Sequence, residues 1–322
     1  MIISRTPFRV SFAGGGSDLK PFYEKNGYGA VVSAAIKRYM YIVIHPYFHD
    51  KIRIKYSQTE DVHHVDDIKH PIVRECLRKV DIDKGIEIAS FADIPAGTGL
   101  GSSSAFTVGL LNALYAYGGR IVPKKELAAQ ACEIEIDILG EPIGKQDQYA
   151  AACGDLNHIR FNRDESVDVS PLLLTEQKKL DLEDRLCLYH VGGTRRTADV
   201  LPEQKKNISV DEKYQNMRKM VGLADELKEK LQLGNSSVLG DILDKGWHLK
   251  KELASGITND TINGMYEKSQ KLGAWGGKLL GAGGTGFLLL YAEDHRALNE
   301  KMQCRTVPFH MDREGTKILF YD

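Results

Sequence analysis

The sequence lacks several features that define specialised classes of protein. It has five cysteines among 322 residues, an odd number, and no two of them stand in C-x-x-C spacing. A disulfide framework or a compact zinc motif is therefore not expected. The first residues do not combine a basic segment with an apolar one, and no apolar run is long enough to span a bilayer. These absences predict a reduced, cytoplasmic protein that has no membrane partner.

An excess of one charge sign is also absent. The 43 lysines and arginines nearly balance the 44 aspartates and glutamates, which gives a formal net charge of -1. No overall field favours nucleic acid as a partner, so an anionic ligand needs a local binding site. Apolar residues make up 42% of the chain, an ordinary proportion for a globular protein. The composition leaves the oligomeric state open, with a homodimer as one option.

Strand-like and helix-like patterns follow one another along the chain. Strands are predicted over 2–12, 30–36, 39–46, 51–56, 85–91, 156–161, 186–191, 285–291 and 317–321. Helices are predicted from 102 to 117 and over 124–139, 211–231, 238–253 and 261–272. The polar stretch 162–184 reads as an irregular connection. This order predicts two α+β domains, which we assign to residues 1–170 and 171–322.

The most informative segment is P-A-G-T-G-L-G-S-S-S-A, from Pro95 to Ala105. It follows a predicted strand and precedes a predicted helix. Glycines let the backbone approach an anion, and the first N–H groups of a helix carry partial positive charge. A phosphate-binding loop is therefore predicted; the alternative is a plain turn with a serine cap. The expected nucleotide contacts are Pro95, Gly97, Gly99, Leu100, Gly101, Ser102, Ser103 and Ser104.

Three glycine-rich segments together resemble those of a known family. The loop just described is similar to the nucleotide loop of the GHMP kinases, which include galactokinase, homoserine kinase and mevalonate kinase. The segments T-P-F-R-V-S-F-A-G-G-G-S-D at 6–18 and G-K-L-L-G-A-G-G-T-G-F at 277–287 come in the family's order. The resemblance implies a two-domain α+β fold with its active site between the domains. It also implies a kinase that uses ATP and Mg²⁺.

Two aspartates follow glycines, and their residue types alone leave their roles open. Asp18 and Asp147 could each bind a ligand or cap a turn or helix. The resemblance favours Asp18 as a ligand for substrate hydroxyls, with Gly15 and Gly16 beside it. It makes Asp147, in G-K-Q-D-Q, the catalytic base. Arg9 matches the family's Lys or Arg, which supports the carboxylate of Asp147 and the developing charge.

The third glycine-rich segment and one helix supply further candidates. The resemblance places Gly283 and Gly284 in support of the substrate cleft, whereas a bulged entry into a strand is the alternative. On the helix predicted over 124–139, Glu135 falls at the edge of the apolar face and Glu133 points to solvent. Glu135 matches the family's metal position, so Ser103 and Glu135 are the implied magnesium ligands. An ordinary surface glutamate is the alternative. Ser102 is the second candidate for the hydroxyl that binds the metal.

A candidate binding site for a phosphate on the acceptor follows in the second half of the chain. Arg195 and Arg196 follow a predicted strand and two glycines, a setting in which guanidinium groups can bind phosphate. A basic loop without a ligand is the alternative. If both arginines bind phosphate, the acceptor is already phosphorylated and the partners are ATP and a sugar phosphate.

Within the family, the chain most resembles the D-glycero-D-manno-heptose 7-phosphate kinases. The shared segments are R-T-P-F-R-V-S-F-A-G-G-G-S-D, G-L-G-S-S-S-A and G-K-Q-D-Q-Y-A-A-A-C-G. This resemblance implies phosphorylation of the anomeric hydroxyl to a 1,7-bisphosphate for nucleotide-activated heptose. Asp155, where a second glycine is expected, and the double arginine depart from the branch. An anomeric kinase for another sugar such as fucose, or a non-catalytic sugar or nucleotide sensor, are the alternatives.

Overall fold

The computed structural model of the chain describes residues 1–193 and 201–322. Its strands are β1 Ile2–Ala13, β2 Tyr28–Pro46, β3 Ile52–Lys55, β4 Thr59–Val62, β5 Ile86–Ala92, β6 Leu156–Asn162, β7 Val167–Pro171, β8 Leu186–Gly192, β9 Ala274–Leu279, β10 Gly286–Ala292, β11 Thr306–Pro308 and β12 Lys317–Tyr321. Its helices are α1 Lys20–Asn26, α2 Pro71–Val80, α3 Ser102–Tyr117, α4 Lys124–Cys132, α5 Gln146–Cys153, α6 Glu176–Asp184, α7 Leu201–Asn207, α8 Asp211–Gln232, α9 Leu239–Lys251, α10 Asp260–Lys271 and α11 Arg296–Met302. The α+β class predicted from the sequence is confirmed.

The larger sheet is organised around the long strand β2. One edge of β2 pairs with β1 along most of its length. The other edge is shared, because β6 pairs with its first part and β5 with its last part. The strand order is β12-β1-β2-β5-β3-β4, with β7 joined through β6. The two strands predicted at 30–36 and 39–46 are thus one continuous strand.

Helix α3 packs across β1 and β2 and is covered on its far side by α2, α4 and α5. It is buried from Ser104 to Ala116 except at Asn112. A helix that is enclosed on both sides must be apolar nearly all round, and the residues of α3 meet this requirement. This burial fixes the beginning of α3, and with it the serines of the predicted nucleotide loop.

The smaller sheet has the order β11-β8-β10-β9 and is antiparallel. Helix α9 packs on β9, and α8 and α9 also contact β1 of the larger sheet. This packing brings the edge strand β9 towards the glycine-rich end of β1. The cleft that the resemblance implies therefore has a wall from each half of the chain.

Two features of the connections differ from the sequence-based expectation. The stretch 162–184 is not irregular, since it contains β7 and α6, whose N-cap Thr175 accepts a hydrogen bond from the N–H of Lys178. The last strand β12 returns to the larger sheet and pairs with β1. The division into residues 1–170 and 171–322 stays a prediction. Across 1–193 and 201–322, the helices are too short or too polar to cross a bilayer.

Candidate active site

The predicted nucleotide loop lies between β5 and α3, as its sequence indicates. Gly101 precedes the first residue of α3 and has a φ of 73°, a conformation that glycine adopts without strain. The N–H of Ala105 already bonds to the carbonyl of Gly101, so the free N–H groups belong to the residues before it. The loop therefore presents backbone donors at a helix N-terminus, which is a suitable site for phosphate oxygens.

The third glycine-rich segment packs directly on this loop. A Cβ atom at Gly281 would lie 2.3 Å from the Cα atom of Gly99, and one at Gly99 would lie 2.6 Å from the carbonyl oxygen of Leu280. Such distances exclude any side chain, so glycine is needed for the two backbones to meet. The loops of the two halves form one floor beneath the cleft.

Gly283 and Gly284 lie on the far side of that segment. A Cβ atom at Gly283 would lie 2.6 Å from the Cα atom of Ile257, and the N–H of Gly284 donates to the carbonyl of Ile257. The cavity itself is lined by Gly281 and Ala282. Gly283 and Gly284 thus support the floor from behind, and a direct contact with substrate stays a prediction.

Arg9 and Asp147 form a paired group at the edge of the nucleotide loop. The Nε atom of Arg9 lies 2.6 Å from Oδ1 of Asp147, and its second terminal nitrogen lies 2.7 Å from Oδ2. The remaining nitrogen donates to the carbonyl of Gly99 at 2.7 Å. A Cβ atom at Gly101 would lie 3.2 Å from Oδ2 of Asp147. The carboxylate is therefore held by a bidentate pair beside the position predicted for phosphate.

Asp147 is not a helix cap. Helix α5 begins at Gln146, its N-cap is Lys145, and no side chain caps it. The carboxylate of Asp147 stands in the first turn and is partly exposed to the cavity. The capping alternative left open by the sequence is thus not what the structure contains.

Asp18 lies deeper in the same cavity and is buried. It accepts hydrogen bonds from the N–H of Gly16 at 3.0 Å and from the side chain of Gln146 at 3.1 Å. Burial, followed by the nearby charge of Asp147, raises the pKa of Asp18. A Cβ atom at Gly144 would lie 2.0 Å from Oδ2 of Asp18, so only glycine leaves room for this carboxylate. Helix α1 begins after Leu19, so Asp18 does not cap it.

Glu135 and Glu133 face the directions that the sequence predicted. Glu135 is 1% exposed, whereas Glu133 is exposed and pairs with Lys79. The backbone differs from the expected α-helix, because a π-helical turn over Glu133–Ile138 follows α4. The hydroxyl of Ser103 donates to Glu135 Oε1 at 2.8 Å, and Gln148 donates to Oε2 at 2.7 Å. The structure therefore places the buried Glu135, and not the exposed Glu133, beside the hydroxyl of Ser103, and their binding of magnesium stays a prediction.

The environment of Glu135 fits a divalent cation. Burial raises the pKa of Glu135 to about 7, against the opposite effect of hydrogen bonds from Ser103, Gln148 and Ser104. No lysine or arginine of the described residues forms an ion pair with it. Mg²⁺ prefers oxygen ligands and is commonly bound by one or two carboxylates together with substrate phosphates. A clustered site of three or more His, Cys, Asp or Glu is absent from residues 1–193 and 201–322, and the binding of magnesium by Ser103 and Glu135 stays a prediction.

The sequence analysis missed several cavity residues, among them Gln204, Lys250 and Lys278. Gln204 of α7 is buried against Gly16, where an added Cβ atom would lie 2.3 Å from its Nε2 atom. Lys250 is 6% exposed and Lys278 is 3% exposed, and both line the cavity. The sequence around Lys250, with Lys251 beside it, is typical of a solvated helix face, and the burial of Lys250 shows that this interpretation is wrong. The glycine-rich string around Lys278 was the only local signal for its position.

A second buried lysine also has a sequence pattern typical of the surface, and one predicted site lies outside the described residues. Lys179 follows Lys178 in a polar stretch, yet it is buried and bonds to both carboxylate oxygens of Asp155. Asp155 has a φ of 57°, which explains why glycine was expected there. Arg195 and Arg196 lie outside the described residues, so their binding of phosphate stays a prediction.

Comparison with known proteins assigns the fold and the chemistry. Residues 68–155 match the family model of the GHMP kinases N terminal domain, and residues 224–306 match that of the GHMP kinases C terminal domain. The chain is 29% identical to a D-glycero-alpha-D-manno-heptose 7-phosphate kinase of Campylobacter jejuni, over 98% of each chain. It is 28% identical to a bifunctional fucokinase/GDP-fucose pyrophosphorylase of Arabidopsis thaliana, over 92% of this chain and 30% of that protein.

The fold also matches a solved structure over its full length. A D-glycero-D-manno-heptose 1-phosphate kinase from Bacteroides thetaiotaomicron superposes with a TM-score of 0.81 at 26% identity, over 100% of both chains. The two family models together match parts of both halves of the chain, including the nucleotide loop, Asp147 and the glycine-rich segment around Lys278. The chain therefore belongs to the GHMP kinase family and is an ATP-dependent phosphotransferase of small molecules.

Proposed function

We propose that this kinase transfers the γ-phosphate of ATP to the anomeric hydroxyl of D-glycero-D-manno-heptose 7-phosphate and forms the 1,7-bisphosphate. The observation that carries the transfer step is the Arg9–Asp147 pair. It lies between the glycine floor on one side and Asp18 on the other. The carboxylate of Asp147 would thus lie between a hydroxyl bound near Asp18 and the nucleotide.

The side chains divide the reaction into positioning, proton transfer and charge neutralisation. Asp18 and Gln146 orient acceptor hydroxyls. The buried Oε1 atom of Gln146 has no hydrogen-bond partner among the described residues and can accept a bond from one of these hydroxyls. Asp147 accepts the proton of the attacking hydroxyl. The new oxygen–phosphorus bond forms as the bond from the γ-phosphorus to the bridging oxygen breaks and ADP leaves. Arg9 neutralises charge on Asp147 and on the transferred group, which suits a reaction that depends mainly on positioning and electrostatics.

Ser103 and Glu135 are the residues that would hold Mg²⁺, with Ser102 as the second choice for the hydroxyl. When bound, the ion would neutralise the phosphate oxygens of ATP. Gln148 keeps one oxygen of Glu135 oriented while the other faces Ser103. The protein's own task at this point is to present one buried carboxylate and one hydroxyl beside the first turn of α3.

Glu135→Gln is expected to raise the Mg²⁺ concentration needed for half-maximal rate by about 10- to 100-fold, the effect of losing one charge-assisted contact. The matched control is Glu133→Gln, because Glu133 is two residues away, exposed and paired with Lys79. The measurement is initial rate against Mg²⁺ at saturating ATP. An equal magnesium dependence in the two variants would remove Glu135 from the proposed metal site.

The choice of acceptor is supported by similarity and by the sequence of one segment. A heptose 7-phosphate kinase matches over nearly the whole chain, as does a structure named for heptose 1-phosphate. The Gly-Gly-Thr-Arg-Arg segment offers a second anion site for a phosphate already on the acceptor. An anomeric kinase for free fucose is the second candidate, because a fucokinase matches over 92% of this chain.

The test is a comparison of kcat/KM for heptose 7-phosphate, heptose 1-phosphate, mannose 6-phosphate, free mannose and free fucose. Phosphorus NMR of the product then identifies the phosphorylated carbon. We expect heptose 7-phosphate to have the highest kcat/KM and the new phosphate to be on the anomeric oxygen. A higher value for free fucose would favour the second candidate. A product phosphorylated at another carbon would contradict both.

A further inference from the structure

Lys278 is buried in the wall of the cavity, and its ammonium group has few hydrogen-bond partners among the described residues. It belongs to β9 of the smaller sheet, and its Nζ atom reaches across to the larger sheet. There it lies 3.5 Å from the carbonyl oxygen of Phe12, its sole hydrogen-bond partner among the described residues. An ammonium group has three donors. A buried lysine with one long hydrogen bond indicates a position that a ligand completes.

Ser11 adds an independent sign of a missing ligand at the same place. Its hydroxyl is buried and has no partner within the described part of the chain. Ser11 and Arg9 are two residues apart on β1, so they project from the same face of the strand. Both residues, like Lys278, line the cavity. A hydroxyl, a guanidinium and an ammonium group thus converge on one space.

The charges around this space favour an oxyanion. Burial, and secondly the charge of Arg9, lower the pKa of Lys278 to about 7. Burial, and secondly Lys278 and Arg9, lower the pKa of Lys250 well below its usual value. Mutual repulsion among buried cations is relieved when an anion enters between them. Asp18 and Asp147 also line the cavity, but the hydrogen bonds that the two lysines make within the described residues go to backbone carbonyls.

Lys250 has a different task from Lys278. Its Nζ atom donates to the carbonyls of Leu279 and Gly281, at 3.1 Å and 2.5 Å. These bonds hold the segment that contacts Gly99 of the nucleotide loop. Lys250 is therefore a positioning residue for the glycine floor, whereas Lys278 keeps donors available for a ligand.

We propose that Lys278 and Ser11, beside Arg9, bind oxygens of the phosphoryl group while it passes from ATP to the acceptor. The position favours the transferred group over a phosphate on the acceptor. Arg9 bonds to Gly99 of the nucleotide loop, and Lys278 lies close enough to Arg9 for its pKa to respond. The proposal rests on the kinase site but not on the identity of the sugar.

The test uses orthovanadate as a mimic of the phosphoryl group and measures ADP affinity by calorimetry in the presence of Mg²⁺. We expect vanadate to tighten ADP binding in the wild-type protein. Lys278→Met is expected to lose about 10- to 100-fold of that enhancement, the effect of one charge-assisted hydrogen bond, and Ser11→Ala a smaller part. Both variants should bind ADP alone with unchanged affinity. Lys251→Met is the matched control, because Lys251 follows Lys250 in α9 but is not among the residues that line the cavity.

The pH dependence separates a charge effect from a packing effect. A lysine with a pKa of about 7 is protonated below that pH and loses its charge as pH rises through it. Vanadate enhancement in the wild type should therefore fall above about pH 7, and bound anion should shift this fall upwards. Lys278→Arg should keep the enhancement at high pH, because arginine stays protonated. The titration of vanadate itself is common to both proteins.

Two outcomes would overturn the proposal. One is a wild type whose ADP affinity does not respond to vanadate, and the other is a Lys278→Met variant that keeps the full enhancement. Neither outcome depends on which sugar has the highest kcat/KM. If the variant with full enhancement also loses kcat/KM only for a phosphorylated acceptor, Lys278 is instead a ligand of the acceptor phosphate.

Discussion

Asp147→Asn is expected to lower kcat by about 10²–10⁴-fold, the usual contribution of a general base. The substitution keeps the shape of the side chain but removes its ability to take the proton of the acceptor hydroxyl. ATP affinity should stay near the wild-type value, because the nucleotide loop and Glu135 do not bond to Asp147. The measurement is kcat under saturating substrates, with ATP affinity determined separately by calorimetry.

The substitution also changes the neighbour of Asp147, so controls are needed. Arg9 donates to both oxygens of Asp147, and an asparagine can accept only one of these bonds. Arg9 keeps its bond to the carbonyl of Gly99, which should hold its position. Asp137→Asn serves as the matched control, because Asp137 is exposed and lies outside the cavity. Turnover of Asp147→Asn above about a tenth of wild type would remove Asp147 as the base.

Local sequence patterns predicted the parts of the site that depend on one segment. Glycines at 97, 99 and 101 followed by serines define a strand-loop-helix unit by their own backbone preferences. Helical spacing also distinguished Glu135 from Glu133, even though the turn is π-helical and not α-helical. The π turn leaves this result intact because the two residues remain on opposite sides of a short helical segment.

Parts of the site that depend on distant segments could not be predicted in this way. Lys250 has a lysine beside it and polar neighbours nearby, so its local pattern is that of a solvated face. It can be buried because the carbonyls of Leu279 and Gly281 accept hydrogen bonds from its Nζ atom. Lys179 is likewise buried because Asp155, 24 residues earlier, supplies both carboxylate oxygens. Sequence periodicity contains no information about such partners.

The contact between the two glycine-rich loops is another feature that depends on segments distant in sequence. The family order suggested that the segment at 277–287 belongs to the site, but not that Gly281 must touch Gly99. Only the packed structure distinguishes Gly281, which lies on the floor of the cavity, from Gly283, which backs onto Ile257. Residue type is identical at these positions, and the tertiary neighbours differ.

The phosphate of the acceptor is expected to raise kcat/KM by a factor as large as the one that the base contributes to kcat. If Arg195 and Arg196 each make a charge-assisted contact of about 1.5–3 kcal/mol, an unphosphorylated heptose should lose about two to four orders of magnitude in kcat/KM. The charge balance of the whole chain supplies no alternative attraction, since its formal net charge is -1. The measurement compares heptose 7-phosphate with free heptose under identical ATP and Mg²⁺ concentrations.

Single substitutions assign that loss to the two arginines. Arg195→Ala or Arg196→Ala should each lower kcat/KM for heptose 7-phosphate by about 10- to 100-fold and leave free heptose and ATP unaffected. Arg218→Ala is the matched control, because Arg218 is an exposed arginine on α8. A fall of equal size for both heptoses would mean that these arginines act on folding or on the nucleotide. If kcat/KM for heptose 7-phosphate is unchanged in both variants, the acceptor phosphate binds another cation of the cavity. Lys278 would then be the first residue to test.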